Sequence, residues 1–403
     1  MKVLLLTPYS PLTQHDHAAN DLMRPLVNAL AGFSEVHVYA PGQRNGTLDQ
    51  WKVDGVTYHA GSAVRRTQLD RISPYPYAGR GSWSRQSTRE ALAVARTLRP
   101  DILHAEYNQT AEALLRCDKH VRHTLMRTSI TLHDLSWGTA ERSLLSHNMI
   151  RKWMQEIERV KMRRTRSAIL TNVDAALVYS KRDKEKLSDA AGIVEVVPVG
   201  VEPPRTRWIG DRPHTAVFGG AMWRAENEVA AVFLAREVMP LVRQVLPTAE
   251  LRVFGARPTA LVRALDGANG VTVVGQVDDY DDEFLHAAVS LAPSMVDAGV
   301  FLKAIRPMAM GCPVILNSAS ASPIAGLVPG LHALVGDGAQ SIANHIVTTM
   351  QNTEQARQLG GAAMDLAREH YSWERTANAY MEVFRRMLQG QSPFRGADSR
   401  PAT

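Results

Sequence analysis

The segment from Asp297 to Val314 has the sequence DAGVFLKAIRPMAMGCPV. It predicts a loop around Gly299, a helix that carries Lys303 on its first turn and ends at Gly311, and then a strand. The N-terminus of such a helix offers a phosphate free backbone N–H groups and a positive dipole end, and a lysine there adds charge. The segment therefore indicates either a phosphate-binding turn or an ordinary helix–strand unit with a solvated lysine.

Short apolar runs alternate with longer helical patterns on both sides of this segment. Helical periodicity is found, for example, in Ala18–Ala31 and Arg89–Leu98. Because buried parallel strands appear as apolar runs between helices, the alternation predicts a parallel sheet in each half of the chain. The predicted strands are Val3–Leu6, Val36–Tyr39, Ile102–His104, Ser129–Leu132, Ala175–Tyr179, Ala216–Phe218, Glu250–Phe254, Val271–Val274, Val289–Ala292, Pro313–Leu316 and Ala333–Val335.

The length of 403 residues exceeds what one hydrophobic core usually supports, so two domains are expected. The density of proline and glycine from Pro198 to Pro204 marks a linker, which places the boundary near residues 205–212. We predict a first domain at residues 1–205, a second at 206–372 and a disordered polar tail at 390–403.

The composition excludes several classes of protein. No apolar run approaches the roughly 20 residues that span a bilayer, so no transmembrane helix is expected. The N-terminus passes directly into a predicted strand and lacks a signal-peptide core, which favours a cytoplasmic location. Cys117 and Cys312 lie in different halves without metal-ligand spacing, so neither a disulfide framework nor a zinc site is expected.

The net charge of +6 comes from the first half of the chain. A basic face there would attract an acidic acceptor, an anionic membrane surface or nucleic acid, although such an excess often marks only a solvated surface. Nucleic acid is disfavoured because no aromatic and basic platform accompanies the charge. The basic segment Arg151–Arg166 fits a helix at a membrane surface or, as we favour, a helix that packs an apolar stripe on the sheet. The stripe is Trp153, Met154, Ile157 and Val160.

Six segments in register carry a resemblance to a known family. Lys303–Val314 resembles the K-x-L-E-A-M-A-x-G-x-P-V motif of the retaining glycosyltransferases of family 4 (glycosyl transferases group 1), which have the GT-B architecture. The resemblance extends over roughly residues 1–388. The other five segments are Leu132–Asp134, Val197–Val201, Phe218–Met222, Leu251–Pro258 and Val271–Val277.

The resemblance implies an α/β fold of two Rossmann-like, doubly wound domains that face each other across a cleft. It implies that the first domain binds the acceptor, that the second binds the nucleotide-sugar donor, and that a final helix at about residues 373–388 crosses back to the first domain. The implied reaction is that of a hexosyltransferase-like enzyme, which moves a sugar to an acceptor hydroxyl with retention and without a metal or other cofactor. The acceptor is expected to be a glycan, a lipid-linked saccharide or a small molecule, in the cytoplasm or peripherally at the inner membrane surface.

The chemistry of sugar transfer and the family resemblance together select the candidate catalytic and donor-binding residues. The donor leaves as a diphosphate, so cations and helix N-termini must stabilise the charge that develops as the glycosidic bond breaks. Lys303 fits this role, and the resemblance places His133 near the reacting sugar, so these two are the expected catalytic residues. Arg224 is a second candidate cation, although it fits a surface arginine equally well. The expected donor-binding residues are Gly219, Gly220, Arg224, Gly255, Gln276, Val277, Asp297, Gly299 and Arg306.

The acceptor side is expected near strand ends of the first half. The loop Tyr9–His17 replaces a glycine pair that the family commonly shows, and its His15 and Asp16 are candidates for acceptor or pyrophosphate contacts. Glu106 and Asn108 follow the strand Ile102–His104 and are further acceptor candidates. His15 and His17 supply only two metal ligands, so no metal site is expected.

The chain departs from the family at two donor-site glutamates, which are Ala298 and Arg306 here. An arginine accepts no hydrogen bond, so the carboxylates that would hold the ribose hydroxyls are missing. Three accounts compete: a donor with an extra anion, a rearranged site that uses Asp297, or a degenerate protein that acts as a binding or scaffold partner.

Overall fold

The computed structural model of the protein describes residues 1–12, 18–42, 50–65, 73–76, 82–117, 126–133, 149–187, 192–295 and 302–390. The chain divides into two compact units. Unit 1 comprises Met1–Gly200 and Trp373–Thr403, and unit 2 comprises Val201–Ser372. Which unit binds the acceptor and which the donor stays a prediction.

Unit 1 is built around a sheet of eight strands in its described part. The strands are β1 (Lys2–Leu6), β2 (Glu35–Tyr39), β3 (Gln50–Val53), β4 (Val56–His59), β5 (Ile102–Glu106), β6 (Arg127–Leu132), β7 (Ala175–Val178) and β8 (Ile193–Val196). Their order is β3-β4-β2-β1-β5-β6-β7-β8, and all pairs except β3–β4 are parallel. The parallel strands near the centre are almost wholly buried; β1 and β7 are apolar in sequence, whereas β5 and β6 also bury polar side chains such as Glu106 and Thr131.

The antiparallel hairpin of β3 and β4 was not among the predicted strands. Its turn is formed by Asp54 and Gly55, which have φ of 50° and 84°. An Asp-Gly pair between β-branched or aromatic residues is a recognised signal for this turn, so the sequence contained a clue. The strand β3 lacks an apolar run because it is a partly exposed edge strand that carries Lys52.

Helices cover the sheet of unit 1. Those that precede the linker are α1 (Ala18–Ala31), α2 (Arg85–Leu98), α3 (Ala111–Arg116), α4 (Met149–Asn172) and α5 (Lys181–Glu185). Helix α2 begins where Ser84 and Ser87 cap each other's backbone N–H groups, and it ends at Arg99, whose φ is 48°. Local capping chemistry therefore sets both ends of this helix.

Unit 2 contains a fully parallel sheet. Its strands are β9 (Arg212–Gly219), β10 (Glu250–Phe254), β11 (Val271–Gly275), β12 (Ala287–Leu291), β13 (Val314–Leu316) and β14 (Leu334–Val335). In the described residues their order is β11-β10-β9-β12-β13-β14. All six strands predicted for the second half are found, although β9 begins at Arg212 and not at Ala216.

The helices of unit 2 follow the same alternation. They are α6 (Ala225–Phe233), α7 (Met239–Val245), α8 (Ala260–Arg263), α9 (Tyr280–His286), α10 (Leu302–Met310), α11 (Ser318–Ala321), α12 (Gly338–Gln351) and α13 (Thr353–His370). A π-helical turn, Leu234–Val238, joins α6 to α7. Helix α10 stops at Gly311, whose φ of 83° requires the freedom of glycine, so the predicted end of this helix is confirmed.

The last described helix, α14 (Trp373–Leu388), belongs to unit 1. Its residues Tyr380 and Phe384 are fully buried in the same core as Val3 and Leu5 of β1. Trp373, the first residue of this helix, packs against Gly200. A Cβ added to Gly200 would lie 2.3 Å from the indole of Trp373. The C-terminal segment is therefore packed into the first sheet's core.

Each sheet has a point at which the strand order reverses. In unit 1 this point lies between β1 and β5, and in unit 2 between β9 and β12. Open α/β sheets bind ligands at the carboxyl ends of the strands beside such points.

Among the residues described, none of the helices has the length and apolar character needed to cross a lipid bilayer.

Candidate active site

A buried carboxylate lies at the carboxyl end of β5 in unit 1. Glu106 is fully buried. Its Oε1 lies 2.9 Å from Nε2 of His104 and 2.9 Å from the hydroxyl of Tyr380, and its Oε2 lies 2.6 Å from Nε2 of His133. Both oxygens are thus occupied by protein groups.

Hydrogen bonding keeps Glu106 ionised despite its burial. Burial alone would raise the pKa of this carboxyl, but the hydrogen bonds from His104 and His133 lower the pKa to about 2. The same burial, together with the charge of Glu106, raises the pKa of Tyr380 and of Tyr179 well above the usual value. Both tyrosines therefore remain protonated hydroxyls at neutral pH.

His133 follows β6 and is enclosed by aromatic rings. Tyr107 stacks on its imidazole with ring centroids 3.6 Å apart and an interplanar angle of 13°, and Tyr179 meets it edge-on at 5.0 Å. Tyr107 has a φ of 66°, which is unusual for a residue with a side chain. The turn after β5 thus holds a strained residue directly against the predicted catalytic histidine.

The other acceptor-side candidates have different outcomes. Glu106 is fully buried and both of its oxygens are hydrogen-bonded to protein groups, and its contact with an acceptor stays a prediction. Asn108 begins a short 3₁₀ turn, Asn108–Thr110, and is half-buried; its contact with an acceptor stays a prediction. His15 and Asp16 lie outside the described residues.

Glycines bring the loops after β9 and β10 of unit 2 into close contact. An added Cβ on Gly255, whose φ is 128°, would lie 1.8 Å from the carbonyl oxygen of Gly220. A Cβ on Gly219 would lie 2.4 Å from the ring of Phe254, and one on Gly220 would lie 2.8 Å from the amide nitrogen of Asn227. Gly255 has no room for a side chain because its nearest neighbour is backbone, whereas a Cβ on Gly219 or Gly220 would have to displace the side chain of Phe254 or Asn227.

Lys303 lies on the first turn of α10 and extends to the start of α6. Its ammonium lies 3.2 Å from Oδ1 of Asn227, 3.4 Å from the carbonyl oxygen of Pro293 and 5.1 Å from the ring centroid of Phe218. Burial lowers the pKa of Lys303 to about 8. The lysine is therefore a partly desolvated cation held at the carboxyl ends of β9 and β12.

Arg224 immediately precedes α6 and remains largely exposed. Its Nη1 lies 3.6 Å from Oε1 of Glu226, and its guanidinium lies over the ring of Trp223 at 5.6 Å. Arg257 approaches the same ring at 5.3 Å. The two arginines place positive charge around the glycine turn, and a contact between Arg224 and the donor stays a prediction.

Arg306 has an acidic partner that the sequence did not identify. Its Nε lies 2.5 Å from Oδ1 of Asp281, on the first turn of α9. The three positions Asp297, Ala298 and Gly299 lie outside the described residues. The carboxylate seen to compensate Arg306 is thus Asp281, which is 25 residues away in the chain and carries no motif.

Gln276 and Val277 follow β11, at the same edge of the second sheet. Gln276 is exposed, whereas Val277 is half-buried against the cluster that contains Phe254 and Tyr280. Gly255 donates its N–H to the carbonyl oxygen of Gly275 at 2.6 Å, which ties the two loops together. Gln276 is therefore accessible to a ligand, and its role stays a prediction.

Helix α4 differs from the favoured interpretation of its apolar stripe. Trp153, Met154 and Val160 are exposed in the described structure, with 68% of Trp153 accessible. The helix instead buries residues further along, such as Met162 and Ile169.

In the part of the chain that the structure describes, no group of three or more His, Cys, Asp or Glu side chains has a geometry that could hold a metal ion.

Family models match both halves of the chain. Residues 22–205 match the model described as Glycosyltransferase Family 4, and residues 213–352 match the model described as Glycosyl transferases group 1. A search of curated protein sequences finds no match.

Solved structures show the same fold at low sequence identity. Sucrose-phosphate synthase from Thermosynechococcus elongatus has a TM-score of 0.72 at 18% identity, over 96% of this chain and 99% of that one. A UDP-forming trehalose-phosphate synthase from Burkholderia xenovorans has a TM-score of 0.62 at 12% identity, over 95% and 98%. Anabaena HepE, in complex with UDP and glucose, has a TM-score of 0.61 at 12% identity, over 97% and 99%.

The two family models together cover most of the chain, and the structural neighbours have the GT-B architecture that the motifs predicted. The expected α/β fold of two Rossmann-like domains is thereby confirmed. The chain carries a Glycosyltransferase Family 4 domain followed by a Glycosyl transferases group 1 domain, and it is a glycosyltransferase of the GT-B fold.

Proposed function

We propose that the protein transfers a sugar from a nucleotide-sugar donor, bound by unit 2, to a hydroxyl group of an acceptor bound by unit 1. The bond between the anomeric carbon and the diphosphate oxygen breaks, and a bond to the acceptor oxygen forms. The acceptor's proton leaves with the diphosphate. Retention of configuration and independence from metal ions are part of the proposal.

The observation that carries the proposal is the position of Lys303. Its ammonium lies beside the glycine turn at the reversal point of the second sheet, where backbone and cation together suit a diphosphate. The low pKa still leaves most of the lysine charged at neutral pH. A partly desolvated cation stabilises developing negative charge more strongly than a solvated one.

The pair of Arg306 and Asp281 bears on how the ribose is held. A carboxylate at the family's position is missing, but Asp281 supplies one from α9 and is itself oriented by Arg306. We propose that this carboxylate accepts hydrogen bonds from the ribose hydroxyls. The pair favours a rearranged site over a donor with an extra anion, because the charge of Arg306 is already compensated.

The probe for the donor follows from the structural neighbours. HepE was solved with UDP and glucose, so UDP and UDP-glucose are the first members of a panel that also includes other nucleoside diphosphates and nucleotide sugars. Sugar phosphates belong among the acceptors tested, since two neighbours are named as sucrose-phosphate and trehalose-phosphate synthases. The basic first half would suit such an anionic acceptor.

The test is a thermal shift measured with the panel, together with donor hydrolysis. A ligand at 100 times its Kd stabilises the folded state by about 2.7 kcal/mol, which is readily measured. We expect at least one donor to stabilise the protein and to be hydrolysed, and Lys303→Ala to lose both effects. Arg236→Ala, at an exposed site in unit 2, is the matched control. No response to any nucleotide would overturn the proposal and favour a scaffold role.

A further inference from the structure

We propose that Glu106 is a positioning residue, which holds the imidazole of His133 with its proton on Nε2 and thereby makes Nδ1 the atom that accepts a hydrogen bond from a substrate hydroxyl. This inference rests on the proposed function, in which His133 contacts the reacting sugar. It adds Tyr380, on the C-terminal helix α14, as the residue that holds Glu106 in place.

The first step is the direction of the hydrogen bonds to Glu106. An ionised carboxylate only accepts hydrogen bonds, so each group that faces it must donate. Nε2 of His133 is 2.6 Å from Oε2, which is at the short end of hydrogen-bond distances, as expected for a bond to an ionised carboxylate. This nitrogen must therefore carry a proton, which leaves the lone pair of a neutral imidazole on Nδ1.

The second step is that the surrounding groups accommodate one consistent arrangement of protons. Oγ of Ser129 lies 2.7 Å from Nδ1 of His104, and Oγ1 of Thr131 lies 2.8 Å from the hydroxyl of Tyr380. If Ser129 donates to His104 and Thr131 donates to Tyr380, then His104 and Tyr380 both donate to Glu106. In this arrangement every donor and acceptor of the hydrogen-bond network around Glu106 has a partner. The network therefore holds the carboxylate rigidly in the core.

The third step is that the imidazole of His133 cannot turn freely. Tyr107 covers one face at a centroid distance of 3.6 Å, and Tyr179 contacts the ring edge-on at 5.0 Å. Tilting the ring would break the stack on Tyr107, and flipping it by about 180° would break the bond to Glu106. The geometry therefore fixes the tautomer and the orientation of the ring together, as an ionised partner does for other functional histidines.

The hydrogen bond from Tyr380 connects residues 274 positions apart. Tyr380 is fully buried, and its ring packs edge-on against His104 at 5.4 Å. The C-terminal helix thus contributes a polar group to the support of His133 in addition to its apolar packing on β1.

The experiment measures the tautomer of His133 directly, by the ¹⁵N chemical shifts of its imidazole in the full chain without substrate at about pH 8. The signal is assigned by its loss in His133→Asn. We expect an Nε2–H tautomer in the unaltered protein. A proton on Nδ1, in the other tautomer or in an imidazolium, would overturn the proposal. Because no substrate is present, this result is independent of whether the proposed transfer reaction is correct.

Substitution of Glu106 supplies the functional readout. Glu106→Gln places an amide donor opposite His133, which should shift the proton to Nδ1 and reduce kcat by about 10- to 100-fold, by analogy with the loss seen when the partner that orients a metal-binding histidine is removed. The KM for the donor should change little. An unchanged tautomer and unchanged kcat in this variant would contradict the positioning role.

Matched controls separate positioning from general destabilisation. Glu283→Gln removes a second buried carboxylate, one bound by Arg252 at 2.8 Å in unit 2, and should leave the tautomer of His133 unaltered. Tyr380→Phe removes one donor to Glu106 and should lower kcat, whereas Tyr39→Phe removes a partly buried tyrosine–carboxylate bond to Glu90 and should not. If Glu106→Gln does not fold, the spectrum of the unaltered protein and the tyrosine pair still decide the question. Equal effects of the two tyrosine variants on kcat would count against the proposal.

Discussion

Lys303 and Asn227 are joined by a hydrogen bond of 3.2 Å from the ammonium to the side-chain oxygen, which connects α10 to α6 at the carboxyl edge of the second sheet. The amide nitrogen of Asn227 donates in turn to the carbonyl oxygen of Ala221 at 3.1 Å. The backbone of the glycine turn therefore sets which amide atom faces the lysine. The turn, the asparagine and the cation form one preorganised group, to which a diphosphate is proposed to bind.

Substitution of Asn227 should weaken donor binding without removing the charge. In Asn227→Ala the ammonium of Lys303 loses a partner that holds it in place, and hydrogen bonds to charged groups are worth about 1.5–3 kcal/mol. We expect the Kd for the nucleoside diphosphate found in the panel to rise by about tenfold or more, measured by isothermal titration. Asn344→Ala, at an exposed site on α12, is the control and should bind normally. An equal Kd in both variants would mean that this contact does not support the donor site.

Donor binding should depend on pH through Lys303. Burial lowers its pKa from 10.5 to about 8, an effect that Glu226 opposes and Arg224 reinforces. Above about pH 8 the free protein loses the ammonium, so the Kd for the nucleoside diphosphate should rise between about pH 8 and 9. Lys303→Arg stays charged in this range, so its Kd should be nearly constant. A constant Kd in the unaltered protein would contradict the assignment.

The same lowered pKa has a consequence for stability. The unfolded chain keeps the proton of Lys303 up to a higher pH than the folded chain does, so the unfolded state binds more protons between about pH 8 and 10.5. The contribution of this residue to the free energy of unfolding should therefore rise with pH in that window. Chemical denaturation of the unaltered protein and of Lys303→Met at several pH values checks the sign. A contribution that stays constant or falls with pH would show that folding does not lower the pKa of Lys303.

The role of Asp281 can be tested by comparing the binding of UDP with that of its 2′-deoxy analogue. If the panel identifies a different nucleoside diphosphate, that compound is compared with its own 2′-deoxy analogue. If its carboxylate accepts a hydrogen bond from the ribose, the unaltered protein should bind the ribonucleotide more tightly, and Asp281→Asn should reduce this preference several-fold. Asp365→Asn, at an exposed ion pair on α13, is the control. An unchanged preference for the ribonucleotide in Asp281→Asn would show that Asp281 does not bind the ribose.

Arg306→Glu distinguishes adaptation from degeneration. It restores the family's glutamate but places two carboxylates together, because Asp281 lies beside position 306. An adapted site should lose binding of the nucleoside diphosphate, and this is the expected result. Improved binding would instead favour a degenerate donor site.

Gly255 should be intolerant of any side chain. An added Cβ would lie 1.8 Å from the carbonyl oxygen of Gly220, at a φ of 128°. Gly255→Ala is expected to destabilise the protein by about 2–4 kcal/mol from overpacking and backbone strain together. Gly267→Ala also has a positive φ, 77°, but has nothing within 4 Å of the added Cβ, so it should cost only about 1 kcal/mol. Similar midpoints of denaturation for both variants would refute the close approach of the two loops.

Much of the fold was predictable because most of the central parallel strands contain runs of apolar residues, as in β1 and β7. All the strands expected from such runs are found, including β13, which follows Gly311. The strands β3, β4 and β8 were not predicted; each has only four residues and lies at or next to an edge of the sheet, even though the Asp54-Gly55 turn marks the hairpin of β3 and β4. The sequence thus predicts central strands better than edge strands.

The candidate site was predictable only where a local motif exists. Lys303 and Gly255 were identified from their surroundings in the sequence, whereas the partners of Glu106 and Arg306 were not. Tyr380 lies 274 positions from Glu106, and Asp281 lies 25 positions from Arg306, so no spacing pattern links either pair. Such contacts depend on how helices pack, which a single sequence does not encode as a motif.

The central claim is that unit 2 holds a nucleotide-sugar donor through Lys303, and the most direct test is isothermal titration of the nucleoside diphosphate panel into the full chain. The account predicts that at least one nucleoside diphosphate binds with a stoichiometry of one, that Lys303→Ala abolishes this binding, and that Arg236→Ala retains it. Absence of binding by every nucleotide, or equal binding by the unaltered protein and Lys303→Ala, would contradict the account.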